Sequence, residues 1–508
     1  MGVHRVSTAR TLTLSLVSHT NVGKTTLART LLARDVGEVR DAAHVTEFAD
    51  GHELMRSAAG DVLQLWDTPG FGDSARLVRR MKLDGHPLGW LLSQVWDRWR
   101  DRAFWSSQQA LRHVRERSDV LLYLVNATEP EAPYLEPELQ LLAWLDKPVL
   151  VLLNQLGPAR EAAAEAAELV AWRRRVAGHA MVRAVLPLDA FARCWVQEAA
   201  LWRAVQAALP PPAAAAMARL TAAWAAEREA CFAAAMLALS QSLARIATSR
   251  QPLAEPAGLG GRVRDSVGGL LRAVKKEVSE GDDPPSRAMR ALAEFTQAEV
   301  RTSTQRLLEL HGQRGQAPEP ILQRVAQQVS VHARLDEGRA ALWGGMLSGA
   351  LVGLKADIVS GGLTLGGGLL AGGLLGALGA AGVARGANLM RGGGQSWLGW
   401  KDEAMTPMVQ AAVLRYLAVA HFGRGRGDWS QSEAPAFWHA VVAQALAAQA
   451  AALAALWSQR GQRLDNGGDA EQLATALLPL LSDATRRTLS MLYPQSQTVT
   501  THTARDTP

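Results

Sequence analysis

Up to about residue 205, short apolar runs bounded by polar turns alternate with segments of helical spacing; beyond it, helical spacing holds throughout. The alternating run Leu12-Thr13-Leu14-Ser15-Leu16 predicts a strand, and Thr26–Leu32 a helix after it. Further strands are expected at Asp61–Trp66, Val120–Val125, Val149–Leu153 and Val182–Leu186. Strands alternating with helices imply an α/β fold with a doubly wound, mainly parallel sheet, whose ligand loops lie at the strands' carboxyl ends. Leu209-Pro210-Pro211-Pro212 stops the preceding helix and predicts a domain boundary. Past it, helices are expected at 213–249, 262–279, 286–311 and 318–339, then at Lys401–Phe422, Ala434–Arg460 and Asp469–Leu492. The expected organisation is a domain over 1–208, a helical domain over 209–340 and 394–494 interrupted by a Gly-rich hydrophobic hairpin over 341–393, and a disordered tail over 495–508.

Candidate chemistry concentrates where the first strand gives way to the first helix. Ser18-His19-Thr20-Asn21-Val22-Gly23-Lys24-Thr25 has the spacing G-x-x-x-x-G-K-[ST], with Ser18 in place of the first glycine. A triphosphate needs backbone N–H donors converging on one concavity, a lysine on the β/γ-phosphates and a hydroxyl for Mg²⁺, all at a helix N-terminus. The expected nucleotide-binding residues here are Ser18, Asn21, Val22, Gly23, Lys24, Thr25 and Thr26. The second strand ends in Asp67-Thr68-Pro69-Gly70, where a carboxylate facing the loop can hold Mg²⁺ through water and the Gly70 N–H can approach a γ-phosphate. Between them the polar stretch Asp35–Glu47 reads as a mobile switch, with Thr46 the candidate for a second Mg²⁺ position. The expected catalytic set is therefore Lys24, Thr46 and Gly70, and the expected Mg²⁺ set Thr25, Thr46 and Asp67.

These residues resemble the Era/TrmE-like branch of P-loop GTPases, through Asn21-Val22-Gly23-Lys24-Thr25, Thr46 and Asp67-Thr68-Pro69-Gly70-Phe71. Ser15–Leu32 and Leu65–Asp73 are similar to a bacterial family that joins such a domain to an uncharacterised helical C-terminal region. The resemblance implies an α/β P-loop GTPase domain that binds GTP and GDP and hydrolyses GTP with Mg²⁺. It also places Phe71 where Ras-like enzymes carry a water-orienting glutamine, so intrinsic hydrolysis is expected to be slow. Asn21 matches the loop asparagine that coordinates K⁺ in potassium-activated members of the branch; the alternative is a turn former. His19 and His44 read as loop and switch surface residues. The family's N-K-x-D motif, whose Asp reads guanine, is replaced by Asn154-Gln155-Leu156-Gly157. Glycine offers no carboxylate, so Asn154, Asp189 in the loop after the last strand, or a backbone group is left to contact the base.

Two stretches carry other information. The insert over about residues 80–117 interleaves Trp90, Trp96, Trp99 and Trp105 with Arg98, Arg100, Asp101 and Arg102, which fits a Trp-packed helix or an effector or dimer surface. Within Leu342–Ala384, Gly345, Gly349 and Gly353, then Gly368, Gly372 and Gly376, recur every fourth residue among uncharged neighbours broken only by Lys355 and Asp357. That spacing stacks glycines into a groove, as in helix packing within membranes, and predicts a hairpin in or against a bilayer; a Gly-zipped pair buried in protein is the alternative. Arg334, Arg339, Arg385 and Arg391 flank it, as anionic headgroups would favour.

The net charge of +6 favours acidic partners, with anionic lipid and RNA both compatible, while a protein effector or a second copy is what the Trp-rich insert would serve. The two cysteines, Cys194 and Cys231, argue against a disulfide framework and suit a reducing compartment, and no zinc-ligand cluster is visible. No cleavable signal is apparent, so a cytoplasmic protein at the inner face of the cell membrane is expected. The resulting expectation is a slow GTPase switch coupled to a membrane-associating helical domain. Its rivals are a ribosome- or RNA-associated Era-like GTPase and a nucleotide-gated scaffold that barely hydrolyses.

Overall fold

The computed structural model describes residues 9–32, 50–71, 73–83, 102–156, 162–188, 195–253, 284–312, 387–392, 395–400, 402–421, 437–465 and 470–494. Thr46, Gly157, Asp189, Trp90, Trp96, Trp99, the expected helices at 262–279 and 318–339, the Leu342–Ala384 stretch and the C-terminal tail lie outside them. The chain forms two compact units, the first built mainly from residues 1–230 and the second from 231–420 and 429–492.

In the first unit the order is β1 (Thr11–Ser18), α1 (Lys24–Leu32), β2 (Asp50–Arg56), β3 (Val62–Asp67), α2 (Ser74–Leu83), α3 (Arg102–Arg117) and β4 (Val120–Asn126). It continues with α4 (Leu135–Leu145), β5 (Val149–Asn154), α5 (Ala162–Val176), β6 (Val182–Pro187), α6 (Trp195–Ala208) and the start of α7 (Pro211–Thr248). The six strands lie in the order β2-β3-β1-β4-β5-β6. All pairs are parallel except β2 with β3. The register sets Leu16 beside Asp67, Ser18 beside Leu124 and Asn126 beside Asn154, so the chemistry-bearing residues gather at one edge.

Period-two alternation sorts the apolar side chains between the two faces. On one face Leu12, Leu14, Leu16, Leu122 and Leu124 pack with Leu27 of α1, Trp202 of α6 and Met217, Leu220 and Trp224 of α7. On the other, Val17, Leu121, Tyr123 and Val125 pack with Phe71, with Leu77 and Met81 of α2, and with helices α3 to α5. Trp202 and Trp224 meet edge to face at 6.3 Å. An ion pair adds to this packing: the Arg219 guanidinium of α7 donates to both oxygens of the buried Asp61 carboxylate, at 2.7 and 2.9 Å. Asp61 also accepts from the Ser57 hydroxyl and the Arg10 backbone N–H.

The second unit takes the rest of α7, then β7 (Arg250–Leu253), α8 (Pro284–Leu310), β8 (Ala387–Gly392) and β9 (Gln395–Trp400). Helices α9 (Asp402–Ala420), α10 (Phe437–Ala447), α11 (Ala450–Asp465) and α12 (Ala470–Leu492) follow. Its packing is apolar with buried arginines as ties. Arg460 of α11 donates to the carbonyls of Ala247 and Trp400 and to Asp402, while the Trp400 indole N–H donates to Thr296 of α8. Arg415 of α9 donates to the Val300 carbonyl and the hydroxyls of Ser303 and Thr304. Burial lowers its guanidinium pKa to about 10.

The structure differs from the sequence pattern in three places. β2 is an edge strand with a polar sequence and a register shift between Glu53 and Met55, so it carries no apolar run to reveal it. The antiparallel sheet β7-β9-β8 arises within the helical region and includes residues expected in the hairpin segment. Its strands contain Pro252, Gly392 and Gly399, which weaken any strand signal. The single helix expected over Ala434–Arg460 is two, bent by 73° between α10 and α11. Among the described residues α7 is the one unbroken helix long and apolar enough to cross a membrane, and more than half of its most apolar stretch is buried inside the protein.

Candidate functional site

The loop between β1 and α1 is held from three sides. Gly23 takes φ +93°, and a Cβ there would lie 2.8 Å from the Asn154 Nδ2, so only glycine fits. That Nδ2, at the buried end of β5, donates to the Val22 carbonyl at 2.7 Å. Asn154 therefore braces the loop as well as standing where a base-reading residue was expected. Asn21 is exposed with φ 63°, a left-handed conformation that asparagine tolerates. Leu27 N–H donates to the Gly23 carbonyl, closing the first turn of α1. The amide groups of Lys24, Thr25 and Thr26 thus lie in the N-terminal turn, where an anion is favoured.

β3 delivers its residues to the same place. The Thr25 hydroxyl donates to Asp67 Oδ2 at 2.6 Å, and the Thr68 hydroxyl to the Leu16 carbonyl at 2.6 Å. Gly70 lies against Thr20, where a Cβ would come within 3.1 Å of the Thr20 methyl. The Phe71 N–H donates to the Ser18 carbonyl at 3.2 Å, while its ring is fully buried with Val17, Leu77 and Tyr123. Burial lowers the Lys24 pKa, and the charges of Asp67 and Glu138 oppose that fall. The structure therefore brings together Ser18, Val22, Gly23, Lys24, Thr25, Asp67, Gly70 and Asn154 of the expected site. A hydroxyl and a carboxylate in contact beside phosphate-facing amides are an all-oxygen donor set, which fits Mg²⁺.

Sequence reasoning missed a second layer beneath the loop. His19 is not a free surface residue: its Nδ1 bonds Glu138 Oε1 at 2.8 Å and its ring stacks on Tyr134 at 4.1 Å, nearly parallel. Glu138, on α4 and fully buried, accepts from the Tyr123 hydroxyl at 2.8 Å through its other oxygen. Burial raises the Glu138 pKa, with His19, Tyr123 and Lys24 pulling the other way. Burial first, then Glu129 and Glu138, push Tyr134 up to about 12. The available signal was a carboxylate among Leu135, Leu139, Leu141 and Leu142 on a helix whose other acid, Glu136, faces water.

The sheet order, the glycine-bearing loop at a helix N-terminus and the Thr25–Asp67 contact define a P-loop nucleotide-binding domain. Residues 13–155 match the family model described as 50S ribosome-binding GTPase, and this part of the chain is a GTP-binding P-loop GTPase domain. The chain as a whole belongs to the family described as domain of unknown function (DUF3482), whose model matches residues 176–477. No curated protein sequence matches.

Among solved structures, Era from Aquifex aeolicus bound to GDP and AlF4⁻ is similar at 20% identity and a TM-score of 0.30, over 39% of this chain and 57% of its own. Era in complex with MgGDPNP and a segment of 16S ribosomal RNA is similar at 21% identity and a TM-score of 0.28, over 40% and 58% respectively. A GTP-binding protein from the archaeon Sulfolobus solfataricus in complex with GDP matches at 17% identity and a TM-score of 0.22, over 35% and 47%. The chain thus spans less than two thirds of the length of each of these structures.

Proposed function

We propose that this protein is a Mg²⁺-dependent GTP switch of the Era/TrmE-like branch whose intrinsic hydrolysis is slow and whose nucleotide state is read out by the helical unit at a membrane. The observation that carries the reading is the meeting of Lys24, Thr25 and Asp67 at the start of α1. Lys24 would neutralise the β/γ-phosphates, Thr25 and Asp67 would hold Mg²⁺, and the ion would supply further neutralisation of phosphate charge. Gly70 and Thr46 would sense the γ-phosphate. Slow hydrolysis is supported by the buried Phe71 ring, which leaves no side chain at that position to orient water. Asn21, exposed on the loop, is the residue through which K⁺ would act. Asn154 and Asp189 are assigned to the base.

Membrane coupling rests on the glycine spacing of Leu342–Ala384 and its flanking arginines, and it puts the protein in the cytoplasm at the inner membrane face. The experiment is GTP turnover by the full chain in K⁺ and in Na⁺ buffer, with and without anionic liposomes, beside a variant lacking 342–384. Lipid stimulation lost on deletion supports the reading. Binding without turnover in any buffer would make the protein a nucleotide-gated scaffold instead. A ribosome-associated role is the second reading, favoured by the description of the matching GTPase family and by the exposed Arg173 and Arg174 at the end of α5 and Arg183 on β6. Salt-sensitive cosedimentation with ribosomes, without a lipid effect, would favour it.

A further inference from the structure

The His19–Glu138–Tyr123 chain lies directly under the phosphate loop, and the motif that defines the loop does not account for it. A phosphate-binding loop works by convergence of its N–H groups, so whatever fixes its backbone in the absence of ligand reduces the ordering needed on binding. Most of this loop is fixed from the β3 and β5 sides, by the Phe71 N–H on Ser18 and the Asn154 amide on Val22. On the opposite side, among the described residues, the loop is held through the His19 side chain. Its Nδ1 is bonded to Glu138 and its ring lies on Tyr134, so α4 grips the loop one residue after β1 ends. Glu138 is held in turn: one oxygen takes His19, the other the hydroxyl of the fully buried Tyr123 on β4. Neither carboxylate oxygen can turn away without breaking a hydrogen bond.

We infer that Glu138 is a positioning residue for nucleotide binding, acting through His19 to hold the phosphate loop in its binding shape. The inference rests on the reading of this loop as the GTP site. Because the loop faces the phosphates common to both nucleotides, the effect falls on GDP and GTP alike. It is a uniform binding effect, so it raises KM and leaves kcat in place.

The test uses the full chain with GTP and GDP and three variants. Glu138→Leu and His19→Ala are each expected to weaken both nucleotides about tenfold, the order of one buried hydrogen bond to a charged group. Glu138→Gln can still accept from Tyr123 and can donate to a neutral Nδ1, so it should stay within about threefold of the parent. The His19→Ala, Glu138→Leu double variant should bind no worse than either single variant, because the two act as one link. Thermal melting monitors folding; if Glu138→Leu does not fold, His19→Ala and Glu138→Gln carry the test. Unchanged affinities, additive losses in the double variant, or a Gln variant as weak as the Leu variant would overturn the inference. A parent chain that binds neither nucleotide would overturn the reading of the site itself, and this inference with it.

Discussion

Replacing Arg219 by methionine keeps the length and much of the apolar stem but removes the guanidinium that faces Asp61. In the parent, two hydrogen bonds from that group, at 2.7 and 2.9 Å, act on a carboxylate with no solvent exposure. Asp61 is held at about 2 against an ordinary 3.8, first by the Arg219 hydrogen bond, then by Ser57 and the Arg10 N–H, with burial working in the other direction. A depression of nearly two units corresponds to about 2.5 kcal/mol of folding free energy. Because 32% of the Arg219 side chain remains in water, screening brings this to about 1–2 kcal/mol.

A folded pKa below the unfolded one stabilises the native state above the unfolded value, and the benefit fades as pH falls through the folded one. The parent should therefore be more stable than Arg219→Met by a constant margin above about pH 5, with the gap closing between about pH 4 and 2. At pH 7 the margin amounts to about 2–8 °C in Tm for a unit of this size. Melting curves of the full chain at pH 7, 5, 4 and 3, followed by tryptophan fluorescence, give the comparison. No loss at pH 7, or a gap that persists undiminished at pH 3, would refute the assignment of Asp61 and Arg219 as a stabilising pair.

Four further outcomes are expected. Lys24→Ala should abolish GTP binding, measured by equilibrium titration; retained affinity would sink the assignment of the loop. Gly23→Ala forces a side chain into φ +93° and against the Asn154 amide, which should cost about 2–4 kcal/mol in melting and nucleotide affinity together. Phe71→Gln should not accelerate single-turnover hydrolysis, because the side chain points into the core, and should destabilise by about 3 kcal/mol. Arg460→Met should lower the unfolding temperature of the helical unit by removing three hydrogen bonds, two of them buried, while leaving GTP affinity unchanged.

Legibility followed local pattern. The apolar strands β1, β3, β4, β5 and β6 and the helices α7, α8, α9 and α12 announce themselves because each carries its own periodicity. β2 does not, because its sequence is polar and its register shifts after Glu53, and the β7-β9-β8 sheet does not, because Pro252, Gly392 and Gly399 interrupt its strands and Arg250 of β7 pairs across to the distant Gly399. The same division holds at the site. Gly23, Lys24, Thr25 and Asp67 sit at fixed spacings dictated by phosphate geometry, so a linear motif exposes them. Glu138 reaches His19 across 119 residues of chain, and Asn154 reaches Val22 across 132, so only the folded arrangement joins them.

The way α7 begins has a practical consequence for making pieces of this protein. A fragment cut at the Pro210–Pro212 stop would shed Ala213, Ala216, Met217, Leu220 and Trp224 from the core they share with Leu12, Leu16 and Trp202. It would also leave the Asp61 carboxylate without its guanidinium. Such a fragment would present a bare apolar groove along the sheet and should come out of cells insoluble or bound to chaperones. One extended to Ala230 carries its own cover and should purify as a well-behaved nucleotide-binding domain.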